Sequence, residues 1–208
     1  MVTYPLAMPA QGVQGIVIRK VPVVGFSTSP YSGSQEVVAY PGQWWEADVS
    51  LCPASLAQAG AIEGFIGLLN GSYGTFLMGD PMRPSPLGLA ASSPGTPVVN
   101  GAQSAGAGVL NIRGGGLTKV KWLLAGDYIQ LGSGLNTHLH QVLQDADTDG
   151  SGDTALTLWP NLRADVADGD AVVVSGCKGL FRMAQSAQAI TRRPGPFTDY
   201  SFTVKEAL

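Results

Sequence analysis

Charged side chains are scarce in this chain. Asp, Glu, Lys and Arg make up 13% of its 208 residues, where about a quarter is usual for soluble domains. The formal net charge is −3 at pH 7, which argues against a dedicated nucleic-acid-binding protein and leaves no basic face for an anionic membrane. Because surface charge keeps diffusing proteins soluble and apart, so weakly charged a surface predicts that neighbouring subunits cover much of it.

Cysteines and long apolar runs are also few. The two cysteines, Cys52 and Cys177, lie far apart in the sequence, and the N-terminus lacks the basic-then-apolar order of a secretion signal. We therefore expect two thiols rather than a disulfide, in a protein that folds in a reducing cytoplasm. No stretch reaches the roughly 18 apolar residues of a membrane-spanning helix, so we expect no membrane partner.

The clearest local pattern, over residues 42–81, predicts a strand, a helix and a second strand. Residues 44–51 alternate between apolar and polar, which is typical of a strand with one wetter face. Trp44 and Trp45 then point to opposite faces, so one enters the core and the other is a candidate contact for a neighbouring subunit.

The predicted helix covers about residues 53–70. Pro53 fits its first turn, where a missing N–H costs nothing, and Asn70 with Gly71 suits the left-handed end of a helix. Apolar residues recur at three- and four-residue spacing and predict one buried stripe: Leu56, Ala59, Ile62, Phe65, Ile66 and Leu69.

Turn signals divide the rest of the chain into short strands. Residues 82–101 are rich in proline and predict a long loop, and alternating segments separated by glycine-rich turns follow it. The pattern predicts a mainly β protein: a β-sandwich with one flanking α-helix from residues 1–92 and 177–208, and a small β-barrel domain inserted at residues 93–176.

One acidic segment matches part of a calcium-binding loop. Asp145, Asp147, Asp149 and Asp153 alternate around Gly150, as the oxygen ligands of such a loop do. The twelfth position is Leu156 instead of a bidentate glutamate, and strands rather than helices flank the segment. A solvated turn is the favoured interpretation, with calcium binding left open.

Other polar patterns are weaker. His138 and His140 share one face of a strand, but zinc usually takes three or four ligands, so an exposed strand face is favoured. Glu46 and Asp48 fit an ordinary wet strand face, and neither a nucleophile elbow nor a phosphate loop is present. We expect no enzyme activity and no cofactor.

Several segments resemble distal tail proteins of long-tailed bacteriophages, and they cover most of residues 30–183. They are PYSGSQEV, GQWWEADVSLCP, NGSYGTFLMGDP, GDYIQLGSG, VLQDADTDGSGDTALTLWPNLR and KGLFRM. In that family a β-sandwich with a flanking helix packs into a hexameric ring that joins the tail tube to the baseplate hub. The chain departs from the family in size: many distal tail proteins carry a large C-terminal domain, whereas the additional domain predicted here is small and inserted.

The resemblance implies a virion protein of the phage tail tip, assembled in the host cytoplasm. Its expected partners are further copies of the chain in a hexamer, the tail tube protein, the baseplate hub and the tape measure protein, with DNA only passing through the lumen. Arg192 and Arg193 are further interface candidates. Two alternatives stay open: a tail tube subunit, and a binding module whose barrel holds a host-surface glycan or neighbouring baseplate proteins, with Trp122 and Trp159 as sugar-stacking candidates.

Overall fold

The computed structural model describes residues 2–9, 12–188 and 197–208. These residues form a mainly β protein with one α-helix, which confirms the predicted fold class. In this part of the chain, none of the helices is both long and apolar enough to cross a lipid bilayer. Helix α1 spans Leu56–Leu69, and short 3-10 helices lie at Leu89–Ala91 and Gly134–Asn136.

The strands, numbered along the chain, are β1 (Leu6–Ala7), β2 (Val13–Thr28), β3 (Gln35–Leu51), β4 (Ala54–Ser55), β5 (Phe76–Met78), β6 (Val98–Val99), β7 (Val109–Arg113), β8 (Tyr128–Leu131), β9 (His138–Val142), β10 (Thr154–Trp159), β11 (Val172–Val173), β12 (Gly179–Met183), β13 (Phe197–Thr198) and β14 (Ser201–Glu206).

The first six-stranded sheet takes its strands from both ends of the chain, in the order β1-β5-β12-β14-β3-β2. Its pairs are antiparallel except for β1 and β5, which run parallel. Helix α1 covers one face, where the ring of Phe65 packs edge-on against Phe76 at a centroid distance of 5.4 Å. Alternate residues of β3 enter this core, as the period-2 pattern predicts: Trp45, Ala47, Val49 and Leu51.

The second six-stranded sheet lies between β5 and β12 in sequence and has the order β11-β8-β9-β10-β7-β6. Val98 of β6 also bridges Ala171 beside β11, so the two edges meet and the sheet is a nearly closed barrel. Its strands fall within residues 93–176, the range that the sequence predicts for the barrel. The barrel has a separate apolar core, centred on Leu110, Ile112, Trp122, Ile129 and Leu156.

The helix begins later than the sequence predicts. Ser55 precedes it, and the Gln58 side-chain oxygen accepts hydrogen bonds from Ser55 N (3.0 Å) and Oγ (2.8 Å), which holds the first turn. Pro53 lies outside the helix because residues 54 and 55 pair with β13 instead. Asn70 ends the helix with a positive φ of 49°, as predicted.

The predicted apolar stripe of the helix is right except at its start. Four of the residues that the spacing selects are buried, and they are Ala59, Ile62, Phe65 and Leu69. Leu56 was expected on this stripe but, at the first helical position, it is 87% exposed.

Candidate functional site

The two sheets meet at a junction built around Trp45. This side chain is 1% exposed, and its ring packs edge-on against Trp159 of the barrel at a centroid distance of 4.5 Å. Its indole Nε1 donates a hydrogen bond to the Leu139 carbonyl at 2.9 Å. Of the two candidate tryptophans, Trp45 is therefore the one that enters the core, as the alternation along the strand requires of one of them.

A buried ion pair holds the same junction together. Arg163, from the segment after β10, donates to Glu206 of β14 through Nε (3.1 Å) and Nη2 (2.6 Å). The side chains are 12% and 2% exposed. Glu206 also accepts a hydrogen bond from the Trp45 backbone N–H at 3.1 Å. One carboxylate thus joins the barrel, β14 and β3.

The sulfur and phenol groups on this side of the barrel are shielded from water. The Cys177 thiol donates a hydrogen bond to the Tyr128 carbonyl, with Sγ and O 3.2 Å apart. Burial raises the pKa of Cys177 to about 12 and the pKa of Tyr128 to about 12, because a low-dielectric site disfavours the charged form of each group. Neither group is therefore ionised near neutral pH.

Trp44 lies on the opposite face of β3 and is half-buried. Its Nε1 donates to the Glu46 carboxylate at 2.9 Å, while Asp48 accepts from Thr203 Oγ1 at 2.7 Å and pairs with Arg19. Hydrogen bonds from Thr203 and Arg19 lower the pKa of Asp48. The two acids thus have separate partners, and Trp44 stays a predicted contact for a neighbouring subunit.

The four aspartates of the candidate calcium loop do not share a site: Asp145 and Asp147 accept hydrogen bonds from the segment of residues 121–125, Asp149 from the turn itself and Asp153 from Asn100. Among the described residues, no three His, Cys, Asp or Glu side chains come together where they could hold a metal ion. Hydrogen bonds from the backbone N–H groups of Asp153 and Ser151 lower the pKa of Asp149, as expected for a turn. The donors are Ala125 N to Asp145 (3.0 Å), Lys121 N to Asp147 (2.6 Å), Ser151 N to Asp149 (2.7 Å) and Asn100 Nδ2 to Asp153 (3.2 Å).

The two histidines share one face of β9, as predicted, but this face lines the barrel interior, so the prediction that it is exposed is wrong. His138 pairs with Leu131 and His140 with Ile129 across β9 and β8, and both line a cavity of about 610 Å³ at one end of the barrel. His140 Nδ1 lies 2.7 Å from the Pro160 carbonyl oxygen. Burial lowers the pKa of His140 to about 4, so the imidazole is neutral at pH 7.

The tryptophans expected to stack on sugars are not displayed on the barrel surface. Trp122 is completely buried in the barrel core, because the loop that carries it folds inward between β7 and β8. Trp159 is half-buried and packs on Trp45. The sequence prediction of a tryptophan platform for a glycan is therefore wrong.

Strands β2 and β3 continue past the sheet as a two-stranded arm, which we define as residues 24–40. Phe26 and Val37 face each other across the arm and are 63% and 60% exposed. On the other face Tyr40 is 54% exposed, and Tyr31 at the tip is 99% exposed. Among the described strands, β14 pairs with β3 only between residues 46 and 50, so the arm has no third strand.

The sequence predicts β-rich segments at residues 21–26 and 36–40 around a turn-rich stretch at residues 26–35, but not that they pair as an arm beyond the sheet. The turn is shorter than predicted: it occupies only residues 29–34, and Gly33 adopts a φ of +69° there. Arg192 and Arg193, the remaining interface candidates, lie outside the described residues.

Comparison with known proteins does not identify a family for this chain. No protein-family model matches the chain, and no curated protein matches it either. The resemblance to distal tail proteins therefore stays a prediction.

Proposed function

We propose that this chain is a structural subunit of a bacteriophage tail tip: a distal tail protein that forms a hexameric ring between the tail tube and the baseplate hub. The sequence segments that resemble this family support the proposal, and so does a rigid β scaffold covered by one helix. In the assembled virion the ring would contact the tube, hub and tape measure proteins, and DNA would pass through its lumen.

The observation that carries the proposal is the exposed arm. Apolar side chains project from both of its faces, and Glu36 is its one charged residue. An isolated two-stranded ribbon is marginally stable in water, and an exposed apolar patch of this kind is typical of a protein interface. An arm that lies on a neighbouring subunit would bury these side chains and hold the ribbon in place.

The edge position of β2 supports the same reading. Because β2 ends the first sheet, one side of this 16-residue strand pairs with no other described strand. Unpaired edges of this length are a template for pairing with another chain unless they are covered. A ring neighbour would cover both the edge and Val17, which is 57% exposed.

Light scattering of the purified protein at several concentrations tests the proposal. We expect an assembly of six times the 21.5 kDa subunit mass, and we expect the double variant Phe26→Asp/Val37→Asp to remain a monomer because charge on the arm prevents its burial. Leu117→Asp is the matched control: Leu117 is 70% exposed on the barrel, so this variant should assemble normally.

Two results would count against the proposal. One is a wild-type protein that stays monomeric at every concentration and does not assemble with other tail proteins. The other is a double arm variant that assembles as well as the control. The copy number in purified virions separates the proposed ring from a tail tube subunit, since a tube needs many more copies than one ring.

A further inference from the structure

A groove lies between the two edges of the first sheet. The edge strands β1 and β2 are not paired with each other or with any further described strand on their outer sides, and both line this groove. The lining residues from these strands are Leu6, Ala7, Val13 and Ile16. The barrel closes through a bridge between its edges, whereas the first sheet leaves a volume of about 380 Å³ open between its own edges.

The groove is apolar and open to solvent. Val49 and Met78 are its buried lining residues, while Met8, Ile16 and Leu77 are only half-buried. The strand edges on both sides of it present backbone N–H and C=O groups that can pair with another strand. An extended apolar segment of another chain fits both features, because it can pair with an edge and bury its side chains in the groove.

The arm is an extended segment whose charge complements that of the groove. Apolar side chains project from both faces of the arm, and Glu36 is its one charged residue. Lys178 lines the groove, is exposed and forms no ion pair among the described residues. Asp80, the one acid that lines the groove, accepts a hydrogen bond from Met82 N at 2.9 Å. The groove therefore offers Glu36 a cation without a partner.

The arm of one subunit points away from the groove of the same subunit. Strand β2 begins at Val13 in the groove wall and ends at Thr28 in the arm. At about 3.3 Å per residue, the strand covers about 33 Å between Ile16 and Phe26. Because the two surfaces lie at opposite ends of one strand, docking of the arm in the groove joins different copies head to tail. Repeated head-to-tail contacts close into a ring when the rotation between subunits allows it.

We propose that this groove binds the arm of a second copy of the chain. The apolar face that carries Phe26 and Val37 packs against the groove wall, and Glu36 pairs with Lys178. This contact rests on the proposed ring function, and it adds which surface of the neighbouring subunit receives the arm.

Light scattering of two mixed variants tests this contact. The arm variant Phe26→Asp/Val37→Asp keeps its groove, and the groove variant Ala7→Glu/Lys178→Glu keeps its arm. Ala7 and Lys178 are exposed, so the circular dichroism of the groove variant should match that of wild type. We expect each variant alone to be a monomer and an equimolar mixture to form a dimer of twice the subunit mass. Growth stops at the dimer because its remaining arm and its remaining groove are both disabled.

Two further variants separate the groove from general damage. Ala155→Glu places a charge on an exposed outer position of β10, and this matched control should assemble as wild type does. Lys178→Glu alone should weaken assembly at least about tenfold, because it sets two like charges together at the contact. Addition of Glu36→Lys to the same chain should restore assembly, and this rescue also decides the matter if the groove variant folds poorly.

The outcomes distinguish the groove contact from the ring. A groove variant that assembles as well as wild type would overturn the groove contact and leave the ring proposal standing, whereas a wild-type protein that never assembles would overturn both. The groove contact is also wrong if the mixture of the two variants stays monomeric, or if the charge exchange gives no rescue.

Discussion

Removal of the Glu206 charge should destabilise the whole protein, because this carboxylate is the buried partner of Arg163 and of the Trp45 backbone. The variant Glu206→Gln keeps the shape of the side chain, but its amide can accept at only one of the two oxygen positions, and its NH₂ group then faces the Arg163 donors. Breaking one side of a buried ion pair typically costs about 3–5 kcal/mol. Since the amide of this variant keeps one acceptor, we expect a loss of about 3 kcal/mol.

Urea denaturation, followed by tryptophan fluorescence, measures this loss. With a slope of about 2 kcal/mol per molar urea, the midpoint should fall by about 1.5 M. The Trp45 backbone binds Glu206, and the Trp159 ring packs against the Trp45 ring. The fluorescence of these two tryptophans therefore reports on the junction between the sheet and the barrel. Circular dichroism should give the same midpoint if sheet and barrel unfold together.

A double-mutant cycle separates the pair from general damage. Arg163→Met alone should also cost about 3 kcal/mol, since it leaves a buried carboxylate without its cation. The double variant should lose clearly less than the sum of the two, with a coupling of about 2 kcal/mol. Arg113→Met is the matched control, because Arg113 pairs with Asp168 on the surface, where the side chains are 41% and 52% exposed, and its midpoint should stay near wild type. Additive losses, or a Glu206→Gln loss below about 1 kcal/mol, would refute the reasoning.

Three further predictions concern single groups. Burial lowers the pKa of His140 to about 4 from about 6.5 in the unfolded chain, so the unfolded chain binds more protons between these pH values. The free energy of unfolding should therefore fall by up to ~3 kcal/mol as the pH drops through this window. The variant His140→Phe should lose less stability over the same range. Gly64→Ala, in helix α1, should stabilise the protein by about 0.5–1 kcal/mol, because an added Cβ meets nothing within 4 Å. Gly79→Ala should instead destabilise it by about 2 kcal/mol or more, because its Cβ would collide with the Cys177 backbone carbonyl. The raised pKa of the Cys177 thiol, about 12 against an ordinary 9.0, should slow its alkylation at pH 8 on the order of a thousandfold.

Each of these predictions has its own control. Urea midpoints measured from pH 4 to pH 7 in wild type and in His140→Phe must diverge at the acidic end, and parallel curves would contradict the assignment to His140. The two glycine variants control each other, and equal effects would mean that the packing around residue 79 is not as described. Alkylation of Cys177, followed by peptide mass spectrometry, should become fast in urea; fast labelling of the native protein would show an ionised thiol.

Local patterns predicted the elements that depend on local rules. The alternation from Trp45 to Leu51 and the helix end at Asn70 follow from pleat geometry and from left-handed backbone preference, both of which neighbouring residues determine. The start of the helix was wrong at Pro53, because pairing of residues 54 and 55 with β13 depends on residues more than 140 positions away.

The junction could not be predicted for the same reason. Trp45 and Trp159 are 114 positions apart, and only the folded topology brings them together. The acidic segment illustrates a second limit: Asp145 and Asp147 have the spacing of calcium ligands, but each instead accepts a hydrogen bond from a backbone N–H of the segment around residues 121–125. Spacing alone does not distinguish these two uses of a carboxylate.

The base of the arm and the barrel are in direct contact. The barrel leaves the sheet after Met78 and returns at Gly179, and these two residues are paired neighbours in β5 and β12, so its covalent attachment alone would act as a hinge. Gln43, three residues from the arm, accepts a hydrogen bond from Asn161 N at 2.9 Å, and Lys20 Nζ lies 5.3 Å from the centre of the Trp159 ring. These contacts restrict the hinge. A tilt of the barrel would either break them or move the arm with it, so the positions of the barrel and the arm are coupled.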